Sequence, residues 1–421
     1  MPAVPNSRKN VKSRKKLSQI PRIVPKAKDY EDKGLFAKGG FDIIFLLLVC
    51  VLLTIGVVMM FSASYISAKN SATTGGDPYY YLKRQAIFAV IGLVAMLLIS
   101  KINHNVFRKI APIFFVISFA LLVIVLFAPA EVDGKEQFKR WLEIPVIGLR
   151  FQPSEVAKFG LIIFLAWAFE RYQKHFEIRK WTMTFIFFGI VIGFAVLVFA
   201  EDHLSGAILM LGIGLLMGFL GGVDWKLYAL GALFAVLAVV IVIVYVKNIP
   251  DEEKELQNYM IKRIISWLDK NYTDTDQRYQ TNQSLFALGS GGFFGLGLGN
   301  SKQKFLYLPE PQNDFIFAIV GEELGFLGCA FIVVLFALLV WRGFSIALKA
   351  RSVFGRLITM GIVVQVGLQT ILNILVVTDM MPNTGISLPF FSYGGSSLVM
   401  LLAEMGFVLS VSRSSRISKK H

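Results

Sequence analysis

A polar loop meets an apolar helix at residues 308–320, which read LPEPQNDFIFAIV. Asp314 is followed at once by a long apolar run, so the pattern predicts that a membrane span opens here. An ionisable side chain at membrane depth is costly, and its default interpretation is a functional site. The alternative is an N-cap, for which Asp and Asn are favoured and which stabilises a helix by about 1 kcal/mol. Both interpretations can hold together, because Asn313 can cap the helix and leave Asp314 available for chemistry.

Composition places the whole chain among polytopic membrane proteins. Hydrophobic residues make up 55% of its 421 positions and charged residues only 17%, a balance that no soluble domain of this size needs. A backbone in lipid satisfies its own hydrogen bonds, so the spans are expected to be helices and the predicted fold is all-α. About ten segments are long enough to cross a hydrocarbon core of about 30 Å. They are 41–63, 85–100, 110–128, 152–170, 182–200, 205–221, 226–246, 314–341, 355–377 and 395–412.

Basic residues predict the orientation of these spans. The net charge is +15, and basic clusters fill the tail 1–40, follow spans two, four and eight, and end the chain. Both termini are therefore expected in the cytoplasm. We interpret 1–40 as a disordered orientation signal rather than a segment that binds anionic lipid or nucleic acid. Residues 41–413 are interpreted as the membrane domain and 414–421 as a cytoplasmic tail. Three loops then lie outside, at 64–84, 129–151 and 247–313, the last and largest between helices seven and eight.

The largest outer loop contains two further patterns. Apolar residues recur at roughly helical spacing over 256–268, which predicts a helix lying in the membrane interface with Lys262 and Arg263 towards the headgroups. Residues 289–299 are rich in glycine but match neither the dinucleotide fingerprint nor the P-loop. Such a run is typical of a flexible re-entrant turn, or of a backbone that closely approaches a sugar or phosphate. The spacing alone leaves these two alternatives open.

Charged residues also fall inside two predicted spans. Glu155 and Lys158 stand three residues apart at the start of span four, so they share a helix face and partly neutralise each other. A charge pair inside the membrane usually faces a polar cavity, which is the interpretation we favour over a packing ion pair without chemistry. Glu322 and Glu323 lie about 12 Å along span eight from Asp314 at 1.5 Å per residue. We interpret them as structural, with a second place on the cavity wall as the alternative.

As an ordered set, these motifs resemble the SEDS family, the bacterial shape, elongation, division and sporulation proteins with FtsW, RodA and SpoVE as branches. The resemblance runs from about residue 41 to residue 413. Lys262-Arg263 and the stretch 304–310 look more like the FtsW/SpoVE branch than RodA. The motifs that carry the resemblance are 61–64, Arg140-Trp141, 152–155 with Lys158, 279–285, 289–292, 295–297, 308–310, 314–317, 322–325, Asn373, 382–386 and 388–397.

Two positions depart from the family's pattern. Where the family commonly has Thr before the loop aspartate, this chain has Asn313, which keeps a polar group able to cap. The frequent Gln-Pro-Asp-Leu-Gly after span five is replaced here by EDHLSG at 201–206. No role is assigned to Asp202 or His203 on this account.

The resemblance implies a glycosyltransferase that polymerises lipid II into peptidoglycan at the outer face of the cytoplasmic membrane during cell division, at the septum. Asp314 is the expected general base, since a sugar hydroxyl needs one to attack an anomeric carbon. Cations are expected to stabilise the pyrophosphate leaving group. No cofactor is assigned, and Mg or Mn is an alternative source of positive charge. The expected substrate-binding residues are Glu155, Lys158, Arg140, Trp141, Lys262, Arg263, Gln283, Ser392 and Ser396, with no protein metal ligands.

The family resemblance also implies partner proteins, and two other functions remain as alternatives. The family's usual partner is a class B penicillin-binding protein, within a larger set of division proteins. A lipid II flippase and a non-catalytic division scaffold are the alternatives to a polymerase. A flippase must expose its cavity to both faces of the membrane, whereas a polymerase needs only an outward one.

The segment 382–397 completes the predicted site. Its hydroxyls and glycines precede the last span, and irregular backbone at membrane depth is tolerated only when buried in protein or lining a wet cavity. We therefore predict that it packs beside Asp314 and forms one wall of the substrate site. The alternative is a tight turn between helices whose hydroxyls satisfy their own backbone.

Overall fold

The computed structural model of the chain describes residues 34–127, 140–144, 149–172, 175, 180–223, 225–254, 257, 259–269 and 276–416. Most of the basic N-terminal tail and the last five residues of the C-terminal tail lie outside this described part. The end of the N-terminal tail is ordered, because Ala37 N donates to Lys101 O at 2.8 Å and Phe36 forms a β-bridge with Ile102. The prediction of disorder over the whole of 1–40 is therefore wrong for its last residues.

Long helices occupy all ten predicted spans. Among the described residues, eight of these helices are long and apolar enough to cross a membrane by length and composition, and the helices over predicted spans 152–170 and 226–246 are not among the eight. A polytopic helical membrane protein is thus confirmed, while the exact number of spans stays a prediction. The helices of the described residues are α1 Ile43–Asn70, α2 Tyr80–Lys101, α3 His104–Phe127, α4 Pro153–Arg171, α5 Lys180–Ala200, α6 Leu204–Gly221, α7 Trp225–Lys247, α8 Asp251–Lys254, α9 Tyr259–Leu268, α10 Asp276–Gly291, α11 Ile316–Leu348, α12 Val353–Val377 and α13 Gly395–Arg416, with a short 3-10 turn at Ala72–Thr74.

A short β-hairpin precedes α4 and is absent from the all-α prediction. Its strands are β1, Leu142–Ile144, and β2, Leu149–Phe151, and they pair antiparallel with Glu143 opposite Arg150. These two side chains form an ion pair across the hairpin, with Arg150 Nε 3.0 Å from Glu143 Oε2. The hairpin leads directly into the turn at Pro153 that starts α4. It therefore brings polar residues to the N-terminal end of that helix.

The helix that follows Asp314 is broken. Gly325 has φ 68° and ψ −169°, a non-helical conformation inside α11 that favours glycine. A side chain there would also collide with the loop before the helix, since its Cβ would lie 2.6 Å from Phe294 C. Residues 316–323 are buried, whereas exposed apolar side chains begin at Phe326. The part after the break is about 35 Å long at 1.5 Å per residue, enough to cross a bilayer by itself.

This break refines the predicted span that opens at Asp314. The first turns of α11 form a half-helix enclosed by protein, and the surface suited to lipid begins only beyond Gly325. Asp314 therefore lies just before the N-terminus of a protein-enclosed half-helix, and not at a border between water and lipid.

The glycine run packs against the break. Leu296 N donates to Glu322 O at 2.9 Å, and Gly297 N donates to Glu323 O at 3.0 Å. On the other side of Gly325, Phe326 N donates to Gly292 O at 2.9 Å. The run is thus a turn held against α11, which agrees with the re-entrant alternative except that the turn is fixed by these bonds.

Glu322 and Glu323 secure the same turn, which confirms their structural interpretation. Glu322 accepts from the Ser301 hydroxyl at 2.5 Å and from Lys302 N at 2.9 Å. Glu323 forms an ion pair with Lys304, whose Nζ lies 3.0 Å from Glu323 Oε1. Both glutamates are completely buried, so these contacts are what make their burial tolerable.

Close helix packing encloses the region around Asp314. α13 packs along α2, where Gly406 allows the two backbones to approach: a Cβ on Gly406 would lie 2.7 Å from Met96 O. Small residues at such contacts are typical of membrane helices, which pack by van der Waals contact. α12 is buried along most of its length and contacts α4, α6 and α11. Helices α4, α6, α11 and α13 therefore meet around α12.

Candidate active site

A polar cavity of about 960 Å³ opens where these helices end. Its walls come from α2, the hairpin, α4, the α5–α6 turn, the start of α6, the residues before α11, Gln369 of α12, the 385–387 stretch and the start of α13. Each of these helix ends is one that the basic-residue pattern places outside the cytoplasm. The lining residues that bear charge or an imidazole are Arg84, Arg140, Glu143, Arg150, Glu155, Lys158, His203, Glu310 and Asp314.

Asp314 lies two residues before α11 and lines this cavity. The N-cap residue of α11 is Phe315, and no side chain caps the helix, so the N-cap interpretation is wrong for both Asp314 and Asn313. Asn313 instead donates to Glu310 Oε2 at 2.8 Å. The backbone of Asp314 is fixed by Asn373, whose Nδ2 donates to Asp314 O at 2.8 Å. The carboxylate is thus positioned by its backbone and remains available to the cavity.

The surroundings of Asp314 change its acidity. Burial raises the pKa of Asp314 to about 6, with the Glu310 carboxylate also raising it, while the guanidinium groups of Arg263 and Arg140 act in the opposite direction. A carboxylate with this pKa is deprotonated at neutral pH and more basic than an ordinary aspartate. Both properties suit a general base.

The segment 382–397 packs beside Asp314, as predicted. Ser392 Oγ donates to Asn313 O at 2.6 Å, and Tyr393 N donates to Gln312 O at 2.9 Å. The Ser392 hydroxyl also accepts from Leu388 N at 2.8 Å, so its hydrogen-bonding capacity is used within the protein. Ser392 is buried and does not line the main cavity, which counts against its predicted contact with substrate. Ser396 does line the cavity.

Glu155 and Lys158 also line the cavity. Lys158 Nζ lies 2.8 Å from Glu155 Oε2, and both side chains are largely buried. Lys158 also donates to Gln369 Oε1 at 3.5 Å, a long contact. Gln369 is in turn held by the Ser387 hydroxyl at 3.0 Å. The cavity location predicted for the pair is confirmed.

Arg140 and Trp141 form another part of the wall. Arg140 Nε donates to Glu201 O at 3.3 Å, and its Nη2 donates to Asp202 O. These carbonyls in the α5–α6 turn hold the guanidinium at the cavity. Glu201 is buried, and burial raises its pKa to about 8 despite the nearby Arg140.

Arg263 points in the opposite direction to the one predicted. It is buried beside Gly385 and is the strongest cationic influence on Asp314, so it faces the protein rather than the headgroups. The neighbouring Lys262 is half-buried and does not line the cavity. Gln283 is half-buried on α10 and is also outside the lining, so the structure does not bring it to the site. Amphipathic spacing located this outer helix but could not say which of its faces meets protein.

Sequence reasoning missed several cavity residues. Arg84 lies over the ring of Tyr80, 4.3 Å from its centroid, on the wall contributed by α2. The cationic residue near the start of a span was the available signal, since charge at that depth suggests a site. His203 also lines the cavity, and its Nδ1 lies 3.3 Å from Gln152 Nε2. Burial and the nearby Arg140, among other cations, hold the pKa of His203 well below its usual range, so the imidazole is neutral.

The fold and the site define a class: a polytopic membrane protein with a polar cavity at one set of helix ends, built around a carboxylate and several cations. Residues 43–417 match the FtsW, RodA and SpoVE family, described as cell cycle protein, and the chain belongs to this family. The resemblance inferred from the motifs is thereby confirmed.

Relatives and a solved structure agree with this assignment. The chain is 37% identical over 374 residues to the probable peptidoglycan glycosyltransferase FtsW of Geobacter sp. (strain M18), covering 89% of this chain and 97% of that protein. It is 38% identical over 380 residues to stage V sporulation protein E of Bacillus subtilis (strain 168), covering 90% and 99%. A chain in a structure of a peptidoglycan synthase complex that coordinates polymerization and crosslinking has a TM-score of 0.68 and 26% identity, covering 89% and 98%. The first two relatives carry the names of the FtsW and SpoVE branches that the motifs favoured.

Proposed function

We propose that this chain is a peptidoglycan glycosyltransferase that polymerises lipid II at the outer face of the bacterial cytoplasmic membrane, at the division septum. The observation that carries the proposal is the placement of Asp314 with several cations in one polar cavity at the predicted outer helix ends. The name and coverage of the FtsW relative support the same activity. The overall topology and the septal location are part of the proposal.

Asp314 is the proposed general base. A sugar hydroxyl has a pKa far above 7, so its proton must be removed as the oxygen attacks the anomeric carbon of the donor. In this step the new C–O bond forms, the bond from the anomeric carbon to the pyrophosphate breaks, and the proton passes to Asp314. A raised pKa makes Asp314 a better proton acceptor, and a value of about 6 still leaves it ionised at neutral pH.

Cations on the cavity wall are proposed to stabilise the leaving group. Undecaprenyl pyrophosphate departs already ionised, so it needs positive charge and no general acid. Lys158 and Arg140 line the cavity, and Arg263 lies behind Asp314. A guanidinium fixed by two backbone carbonyls, as in Arg140, is preorganised for a phosphate. One direct displacement of this kind inverts the anomeric centre.

No step of this mechanism passes through a metal ion. The described residues contain no group of three or more His, Cys, Asp or Glu side chains that could hold one. The acids on the cavity wall are divided between an ion pair with Lys158, an ion pair with Arg150, and the neighbours Glu310 and Asp314. The residues present therefore suit a mechanism that relies on fixed cations.

The cavity supports the polymerase over the flippase. Its lining comes from helix ends that are all predicted to lie on the outer side of the membrane. Lining residues such as Lys158 and Gln369 lie only about one to two helical turns from those ends. A flippase requires a path that continues to the other face. A scaffold requires neither a placed carboxylate nor a set of cations at one cavity.

A class B penicillin-binding protein is the proposed partner, within a larger set of division proteins. The support is the similarity to a chain of a peptidoglycan synthase complex in which polymerization and crosslinking are coordinated. Glycan strands need both reactions, so a polymerase benefits from a partner that crosslinks its product.

The decisive experiment is polymerisation of fluorescent lipid II by the purified chain, alone and with its class B penicillin-binding protein. Asp314→Asn keeps the shape of the side chain and removes the base, so we expect turnover to fall by about 100- to 10,000-fold. Asp77→Asn, which changes an exposed loop carboxylate paired with Lys83, is the matched control and should polymerise normally. Both proteins should be purified at the same yield.

Three results would reject parts of the proposal. Normal polymerisation by Asp314→Asn would reject the base assignment. Transfer of lipid II across vesicle membranes without polymerisation would favour the flippase. Neither activity, in a folded protein that still recruits its partner, would favour the scaffold.

A further inference from the structure

Three exposed phenylalanines form an aromatic patch away from the cavity, and a fourth, Phe286, is exposed on the neighbouring helix α10. The three are Phe293 and Phe294 in the glycine turn and Phe326 just after the break in α11, with 55%, 78% and 62% of their surfaces exposed, and Phe286 is 60% exposed. The Phe293 ring stacks on Phe326 at 5.7 Å and meets Phe294 edge-on at 5.2 Å. None of the four lines the cavity. The patch is thus a separate surface with no part in the proposed chemistry.

The aromatic patch is continuous with the surface of α11 that faces outward after its break. Phe326 belongs to both, and Leu327 N donates to Phe293 O at 3.2 Å, which holds the turn at the level where this surface begins. Further along the same helix Phe331, Val334 and Trp341 are 56%, 53% and 64% exposed. This helix is long and apolar enough to cross a membrane, so we expect these side chains to face lipid. The start of its apolar face therefore marks the border of the acyl region.

The turn that carries the patch can tolerate a water-poor environment. Backbone groups of Leu296 and Gly297 bond to α11, as described above, so they do not depend on water. The buried lysine and glutamate beneath it are also paired with each other. Lys304 has three acceptors, Glu323, Gly299 O and the Ser62 hydroxyl, at 3.0, 2.5 and 3.3 Å.

We propose that the aromatic patch is seated in the outer leaflet of the membrane, where lipid covers its three rings and the ring of Phe286. Aromatic side chains are enriched at this depth, between headgroups and acyl chains. Lipid is the occupant that the structure favours because the patch continues a lipid-facing helix surface without a step. Burial of these rings would hold the glycine turn against the break in α11. It would thereby stabilise the half-helix that begins just after Asp314.

Spin-label accessibility tests the proposal in the full-length protein. Cys50 and Cys329 are first replaced by alanine, and a nitroxide is attached through Phe294→Cys, with Phe286→Cys as a second site. The protein is reconstituted in vesicles of phosphatidylethanolamine and phosphatidylglycerol. Val334→Cys in the lipid-facing helix and the exposed Ala72→Cys in an outer loop are the two reference sites.

We expect labels at 294 and 286 to collide with oxygen severalfold more often than with a water-soluble nickel chelate, as at 334. Preferential collision with nickel, as at 72, would overturn the proposal because the patch would then lie in water. Low collision with both reagents would also overturn it, since a second copy of the chain would then cover the patch. If Phe294→Cys fails to fold, the label at 286 decides between the same outcomes.

Discussion

Two buried lysine–glutamate pairs lie on the same side of this molecule and differ in how completely they are satisfied. In one, Lys304 and Glu323 are 5% and 0% exposed, and in the other, Lys158 and Glu155 are 5% and 13% exposed. Lys304 has three acceptors, and Glu323 accepts from the Ser62 hydroxyl at 2.7 Å as well. Among the described residues, Lys158 has its glutamate and the long contact with Gln369 as its partners.

The difference separates a structural pair from one that can bind a ligand. An ammonium has three donors, so Lys304 has none left, whereas Lys158 lines a polar cavity with capacity to spare. Residue type and exposure do not distinguish the two pairs, since each is a lysine and a glutamate at low exposure. The number of partners does, and it predicts opposite phenotypes for matched substitutions.

The largest effect is expected from Lys304→Met. Removing one partner of a buried pair leaves the other charge uncompensated, which costs about 3–5 kcal/mol. Glu323 would be that charge, and the turn fixed by Lys304 would loosen with it. We expect a large fall in the midpoint of thermal unfolding in detergent, and poor yield.

Lys302→Met is the control for this substitution. Lys302 lies two residues away, and its side chain is exposed, although its backbone N bonds to Glu322. It should unfold at the wild-type temperature. A stable Lys304→Met protein with normal yield would show that the satisfied pair is not required for the fold.

Lys158→Met is expected to act on turnover instead. Loss of one preorganised charge from a reaction site costs about 100- to 1,000-fold in rate. Stability should change less than in Lys304→Met, because Glu155 borders the cavity and can be solvated there. The measurements are polymerisation of lipid II and thermal unfolding of the same preparation.

Exchange of the two residues sharpens this test. The double variant Glu155→Lys, Lys158→Glu keeps the ion pair and moves the ammonium to the other position. It should fold and remain inactive if Lys158 contacts a phosphate. Near-normal rates in the exchanged protein would make the pair structural, like Lys304 and Glu323.

The cavity should also differ from the satisfied pair in its response to pH. The proposed base acts as a carboxylate, so turnover should rise with pH through about 6 and fall about tenfold per unit below it. Stability has the opposite sign: a pKa raised by folding contributes stability that is full below about 4, the value in the unfolded chain, and is lost as pH rises through 6. Asp314→Asn should therefore be no less stable than wild type at pH 8. A rate independent of pH between 5 and 8 would contradict the base assignment.

Much of this arrangement could be predicted from the sequence. The spans were predicted because an apolar run of sufficient length has few alternatives to a helix in lipid. A polar cavity beside Glu155 and Lys158 followed from the cost of charge at membrane depth, and its place on the same outer side as Asp314 followed from the orientation of the spans, whereas their joint role at one substrate site came from the family resemblance. The predictions of the spans and of the cavity depend on solvation, which composition reports directly.

What could not be predicted depends on which neighbour a residue meets. The break at Gly325 is hidden because apolar residues continue on both sides of it, and glycine is common in membrane helices. The inward orientation of Arg263 is hidden because an amphipathic helix has the same spacing on lipid as on protein. The use of the Ser392 hydroxyl by two backbone groups is hidden because those groups come from 388 and 313.

Ser392 and Ser396 offer the same comparison between a satisfied group and a cavity-lining group, here with hydroxyls. Their substitution is expected to have the smallest effects. Ser392→Ala leaves the Asn313 carbonyl and the Leu388 N–H without their partner, which costs about 1–3 kcal/mol, so stability and activity should fall together. Ser396 lines the cavity, so Ser396→Ala should leave the unfolding midpoint unchanged. If its hydroxyl bonds substrate, KM should rise about threefold to tenfold, as expected for one neutral hydrogen bond. Parallel losses of stability and activity in both variants would make the whole segment an inter-helix turn, and its contribution to the cavity would then be shape alone.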